Sequence, residues 1–199
     1  MASKITICNR ALSKLGADRI TSLDDDNKAA RAMKSAFDFV RDAEFRAHVW
    51  NFTVKRAELA ASATAPTWGY SYQYAMPSDF LRLLEIRDLY SNSNTQDYRT
   101  NPTSLWQMEG GNLVTDAEAP VFIRYVARVT DPETYDALFS EALACRLAAE
   151  TAEEITESST KVGNAWKLYE RAVKEALRSD AIEQPTEYLM DDSWVTGRL

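Results

Sequence analysis

Histidine and cysteine are almost missing from this chain. His48 is the single histidine, and Cys8 and Cys145 are the only cysteines among 199 residues. No Cys/His set for a metal centre can be assembled from them. Both cysteines sit among apolar neighbours in helical patterns, where a thiol behaves as a small buried hydrophobe rather than a disulfide partner or reactive group. His48 falls at the end of an expected helix beside Trp50, with no cysteine, serine or acidic partner in a recognised spacing, and reads as a packing or capping residue. Long apolar runs are missing too. None approaches the roughly 20 residues that a membrane span needs, and the opening Met1 to Arg10 lacks the apolar centre of a secretory signal, so the expectation is a soluble chain, without membrane contact, made in a cytoplasm. The net charge of −7 supplies no basic stripe for a general nucleic-acid binder. Gly110 and Gly111 are not followed by the lysine and hydroxyl residue of a phosphate loop, no dinucleotide fingerprint occurs, and the run Asp24-Asp25-Asp26-Asn27 lacks the glycine and distal glutamate of a calcium loop. No catalytic, cofactor-binding or metal residue is therefore expected.

What remains is a pattern of helix at both ends and strand between them. Ile5, Cys8, Leu12 and Leu15 recur at helical spacing before Gly16, which predicts a first helix over about 4–15. Ala30, Met33, Phe37, Val40 and Phe45 mark a long second helix ending near His48, with the acidic run before it serving as a cap. From about residue 53 to 128 the period changes. Pro66 to Tyr74 sets Tyr70, Tyr72 and Tyr74 two apart, as on one packed strand face, and a further strand is expected from Leu81 towards Tyr90. Trp106 to Val114 reads as a hairpin whose glycines accept positive φ, and Val121 to Arg128 as the closing strand. Helix returns at Asp131-Pro132-Glu133, and the apolar face from Tyr135 to Ala152 is wide and rich in alanine. A fourth helix is expected from Ser158 and Ser159 to about Ala181. The predicted fold is α+β: a four-helix bundle from residues 1–52 and 131–181, an inserted antiparallel β domain over 53–130, and an extended C-terminal arm over 182–199.

The arm is acidic, yet it keeps Tyr188, Leu189, Met190, Trp194 and Val195. Exposed aromatics are costly in water, so the arm either folds back on its own domain or docks on another chain. These five residues are the candidate partner-binding set.

Several stretches, taken in order, resemble a known family. Cys8-Asn9-Arg10-Ala11-Leu12-Ser13-Lys14-Leu15-Gly16 is followed by Ile20-Thr21-Ser22-Leu23 and Lys28-Ala29-Ala30-Arg31. Then come Ala47 to Phe52, Tyr74 to Leu83, Tyr125 to Asp131, Leu138 to Ala144 and finally Asp192-Ser193-Trp194-Val195. The succession, covering nearly the whole chain, is similar to the head-to-tail adaptors of tailed bacteriophages, called tail tubular protein A in many short-tailed phages. That resemblance implies a non-enzymatic virion protein at the head–tail junction. It implies a homo-oligomeric ring, commonly of twelve subunits, that binds the portal and hands the DNA channel to the tail nozzle or tube. It also implies a helical bundle with an inserted β domain, and a C-terminal segment that reaches the portal or a neighbouring subunit.

A closed ring requires two different flanks on each subunit, and the Tyr135 to Ala152 stripe is the expected source of one. The acidic balance suits a wall past which double-stranded DNA slides without sequence-specific binding. Two other classes fit the same composition. One is a tail-associated cell-wall or glycan hydrolase using carboxylates scattered along the chain; the other is a cytoplasmic binding module or assembly chaperone.

Overall fold

Ser3 opens the first helix, its side-chain oxygen accepting the Thr6 amide at 3.1 Å. After the twelve residues of the helix Gly16, at φ 68°, closes it by donating its amide to the Leu12 and Ser13 carbonyls. The computed structural model describes residues 3–87 and 105–183. The expected residues Leu89 and Tyr90 of the middle strand, and the arm residues Tyr188, Leu189, Met190, Trp194 and Val195, lie outside the described residues.

The described chain is mixed α+β, with four α-helices and two small antiparallel sheets. Helices α1 (Lys4–Leu15) and α2 (Lys28–Ala47) come first. A 3-10 turn over Asn51–Thr53 leads into β1 (Val54–Leu59), β2 (Tyr72–Ala75), β3 (Phe80–Ile86), β4 (Trp106–Glu109), β5 (Asn112–Thr115) and β6 (Val121–Ala127). Helices α3 (Ala137–Thr156) and α4 (Ser159–Ile182) follow. One sheet has the order β1-β6-β3, the other β2-β5-β4. Gly110 (φ 55°) and Gly111 (φ 83°) form the two-residue turn between Glu109 and Asn112, the conformation that a tight hairpin requires.

Three boundaries differ from the sequence expectation. The aromatic run does not form one strand from Pro66: β2 begins only at Tyr72, after Gly69 at φ 93°, and Ser71 is tied to Asp116 through both its amide and its hydroxyl at 2.9 Å. The strand expected from Leu81 starts at Phe80, directly after the Pro77 turn. Asp131-Pro132 starts a 3-10 turn rather than the third helix, because the backbone must bend to bury Tyr135, whose hydroxyl donates to the Val129 carbonyl at 2.8 Å. A second aspartate, Asp136, then caps α3 by accepting the Leu138 and Phe139 amides. Similarly, α2 is capped by Asn27, whose Oδ1 accepts the Ala30 amide at 2.7 Å, not by the aspartates before it. Asp25 instead closes the preceding turn by accepting the Thr21 and Ser22 amides.

Helix α3 packs against all three other helices. Its alanines let the neighbours approach, and Phe139 is fully buried at the centre of an aromatic group drawn from three parts of the chain. Its ring centroid is 5.2 Å from Phe45, 5.0 Å from Trp50, 5.0 Å from Phe52 and 5.3 Å from Tyr135. Such pairs each contribute about 0.5–1.5 kcal/mol beyond burial. The two sheets share a second core: Leu59, Ile86, Val121, Ile123, Tyr125 and Ala127 of the first face Tyr74 and Leu113 of the second. Val126, on the opposite face of β6, joins the helical core with Leu81 and Leu84 of β3. The first sheet is thereby held from both sides at one end. Phe139→Ala should cost about 3–5 kcal/mol of unfolding free energy, measured by urea denaturation; a loss below about 1 kcal/mol would contradict the placement of this ring at the junction.

Candidate partner-binding surfaces

The wide apolar face from Tyr135 to Ala152 is not a flank for a neighbouring subunit. Tyr135, Phe139, Ala142, Ala144, Ala148, Ala149 and Ala152 are buried against α1, α2 and α4 of the same chain, so this stripe is used up inside the fold. The sequence gives its width but not its partners.

His48 caps the end of α2 and packs edge-on to Trp50, with centroids 5.9 Å apart. The sequence reading missed its acidic neighbour. Glu44, one turn earlier on α2, is 1% exposed, and its Oε1 lies 3.7 Å from His48 Nε2. Its other oxygen accepts the Tyr169 hydroxyl of α4 at 2.9 Å and lies 3.9 Å from Arg146 Nη1 of α3. Arg146 in turn donates to Glu150 at 2.9 Å and lies over the Trp166 and Tyr169 rings at 5.1 and 5.0 Å. The signal was present as Glu44 and His48 at a helical i,i+4 interval, but Tyr169 and Arg146 are more than 100 residues away. The Glu44 carboxylate is buried, while His48 and Arg146 are half-buried. The set ties three helices together through one desolvated carboxylate.

The thiols are buried. Burial pushes Cys8 up to about 12 and raises Cys145, which leaves neither with thiolate character at neutral pH. The tyrosine run forms no open platform: Tyr74 is fully buried and donates to the Ala117 carbonyl at 2.7 Å, Tyr72 is half-buried, and Tyr70 precedes the strand. The acidic run is divided among basic partners, Asp24 with Lys34 at 2.6 Å and Asp26 with Arg31 at 2.5 Å. Among the described residues no group of three or more His, Cys, Asp or Glu is arranged to hold a metal ion, and no helix is long and apolar enough to cross a membrane.

The surfaces that do stay open carry arginine. On the outer face of the first sheet, Arg56 and Glu58 of β1, Phe122 and Arg124 of β6, Glu85 of β3 and the following Arg87 line a groove of about 570 Å³. Strand alternation puts them there, with Arg56 opposite Arg124 and Glu58 opposite Phe122. A second groove of about 580 Å³ lies along α1 at Asn9, Arg10, Lys14 and Arg19, but Arg10 and Lys14 are both engaged by Glu141 of α3. The outer face of α4 presents Arg171, Lys174 and Arg178. Isolated apolar side chains also protrude: Trp68 is 87% exposed in the loop before β2 and Phe39 is 78% exposed on α2.

No protein-family model matches the chain, and no curated protein matches it.

Burial raises the Glu44 carboxyl above its ordinary value, against the opposing pull of the Tyr169 hydrogen bond and the His48 and Arg146 charges. The folded chain therefore keeps this proton to higher pH than the unfolded chain, and the group's contribution to stability falls as pH rises from the ordinary value through the raised one. Glu44→Gln, which retains an oxygen for Tyr169, should gain stability relative to the parent as pH rises above the ordinary glutamate value of about 4.3. Urea midpoints of both proteins, followed upwards from acid pH, test this; parallel pH profiles would show that Glu44 is not desolvated as described.

Proposed function

We propose that this chain is a structural head-to-tail adaptor of a tailed bacteriophage, a ring subunit that joins the portal to the tail nozzle or tube. One observation carries the reading: the stretches that resemble the adaptor family meet at the joints of the fold. Asn9 Nδ2 donates to the Ile20 carbonyl and its Oδ1 accepts the Ile20 amide, both at 2.8 Å, which fastens the loop after α1 back onto that helix. Asp79, from the Tyr74 to Leu83 stretch, accepts the Tyr125 hydroxyl at 2.9 Å, and its carbonyl accepts the Arg128 amide at 2.6 Å. Trp50 and Phe52, from the Ala47 to Phe52 stretch, pack on Phe139 of the Leu138 to Ala144 stretch. Stretches far apart in the chain that touch in space support this reading, since a shared fold would bring them together.

In this reading α1, α2, α3 and α4 act as a four-helix bundle built from residues 1–52 and 131–181, with 53–130 as the inserted β domain and 182–199 as an arm. The ring, commonly of twelve copies in the family, sits at the head–tail junction of the virion after synthesis in the host cytoplasm. Double-stranded DNA passes through it without sequence-specific contacts. Flanks between neighbours come from surfaces other than the apolar stripe of α3, which is buried inside the chain. Ring closure by heterologous contacts then draws on the outer surfaces of α2 and α4 and on the β domain, where Phe39, Leu168 and Trp68 are exposed.

The chain is mainly monomeric before assembly, and the portal templates the ring, because the docking energy of Tyr188, Leu189, Met190, Trp194 and Val195 becomes available only when that partner is present. Removing residues 184–199 should leave a folded protein, judged by circular dichroism, whose affinity for portal-containing heads falls by more than about 100-fold, as expected for losing two or three anchors of about 2 kcal/mol each. Normal decoration of heads by the truncated protein would refute the assignment of the arm.

A further inference from the structure

Helix α4 shows the solvent an ordered row of cations. Ala165, Tyr169, Val173 and Ala176 are buried on its inner side, while Lys167, Arg171, Lys174 and Arg178 are exposed. Steps of four, three and four residues keep these cations on one line, opposite the core, over about 16 Å of helix. None of them makes an ion pair or a hydrogen bond among the described residues. That sets the row apart from other basic surface. Lys4, Arg31, Lys34, Lys55 and Arg128 are each held by an aspartate, and Arg10 and Lys14 by Glu141. The net charge of −7 hides the row from any reading of composition.

Glu170 and Glu175 flank the row, one on each side, at intervals where helical ion pairs form, yet neither pairs with it. They lower its positive potential without closing it. The row itself contains no apolar side chain: Leu168 is exposed about a quarter turn away, and Ile182 lies beyond Arg178. A protein partner needs an apolar centre from which water is excluded. A phosphate backbone needs only cations, because its binding is driven by release of the counterions condensed on it. Each strand of a DNA duplex presents one phosphate per about 3.4 Å of axis, so the row is long enough to follow about five of them.

We propose that Lys167, Arg171, Lys174 and Arg178 on the outer side of α4 contact the phosphate backbone of double-stranded DNA without reading its sequence. Their long stems bring four charges to the phosphates while the acidic remainder of the chain repels them, so each contact is weak and short-lived. Contact of this kind deepens the adaptor role, and rests on it for the passage of DNA. It places the row towards the channel and leaves Leu168 at the side, free to meet a neighbouring subunit.

The test is the fluorescence anisotropy of a labelled DNA duplex titrated with the full chain, in salt from about 20 to about 80 mM. The expected dissociation constant at the low-salt end lies between about 1 and about 100 µM, with a slope of log affinity against log salt of about −3.6, as for four phosphates. Arg171→Gln with Lys174→Gln should halve that slope and weaken binding at least about tenfold. Glu170→Gln with Glu175→Gln should tighten binding about threefold, and circular dichroism checks that both variants fold. No binding at the low-salt end, affinity indifferent to either glutamine pair, or displacement of the duplex by polyglutamate as readily as by unlabelled duplex would each overturn the proposal. The last result would point to an acidic protein partner instead. Neither heads nor portal take part, so failure here leaves head decoration intact, whereas a chain that binds DNA through α4 but ignores heads removes the adaptor role alone.

Discussion

Packing of α3 against all three other helices is the constraint from which the rest of the structure follows. A helix lined with Ala142, Ala144, Ala148, Ala149 and Ala152 has little bulk of its own, so α1, α2 and α4 can come close to it, and Phe139 fills the space where they meet the entry to the β strands. Phe45 arrives from α2, Trp50 and Phe52 from the turn after it, and Tyr135 from the turn before α3. Both crossings between helices and sheets therefore pass through one aromatic cluster, and the sheets leave and return at a fixed place.

The same arrangement sets which surfaces remain for partners. Because the apolar stripe of α3 is buried inside the chain, the surfaces that stay open include the outer faces of α2 and α4, α1 where Arg10 and Lys14 flank Glu141, and the uncovered half of the first sheet. None of these places joins a nucleophile to a base. The most unusual buried group, the Glu44 carboxylate with Tyr169, Arg146 and His48 around it, links α2, α3 and α4, and the carboxylate itself is sealed from solvent. A desolvated carboxylate of this kind does little for net stability compared with a well-packed apolar residue, but it penalises any arrangement of the three helices that leaves it unpaired.

Much of the helical part was legible in the sequence because apolar spacing and capping chemistry agree there: Ser3 and Gly16 bound α1, and Val162, Trp166, Tyr169 and Val173 set out the inner side of α4. The hairpin at Gly110-Gly111 was legible for the same reason, since few residues other than glycine tolerate both positive φ values. The boundaries that went astray are those decided by tertiary contacts. Asp131-Pro132 carries a helix-start signal, yet burial of Tyr135 postpones the helix to Asp136, and the tyrosine alternation suggests a longer strand than the Ser71–Asp116 bonds permit. The groove of Arg56, Arg87 and Arg124 was not legible, because its residues belong to three strands whose pairing no local pattern reveals. The candidate arm was legible only as composition.

The central claim is that the first and last parts of the chain form one cooperative unit around α3. Native-state hydrogen exchange, followed residue by residue in increasing denaturant, tests it most directly. Slowest-exchanging amides in α1, α2, α3 and α4 that converge on a single opening free energy are the predicted result. A chain in which α1 and α2 open several kcal/mol below α3 and α4 would contradict the account.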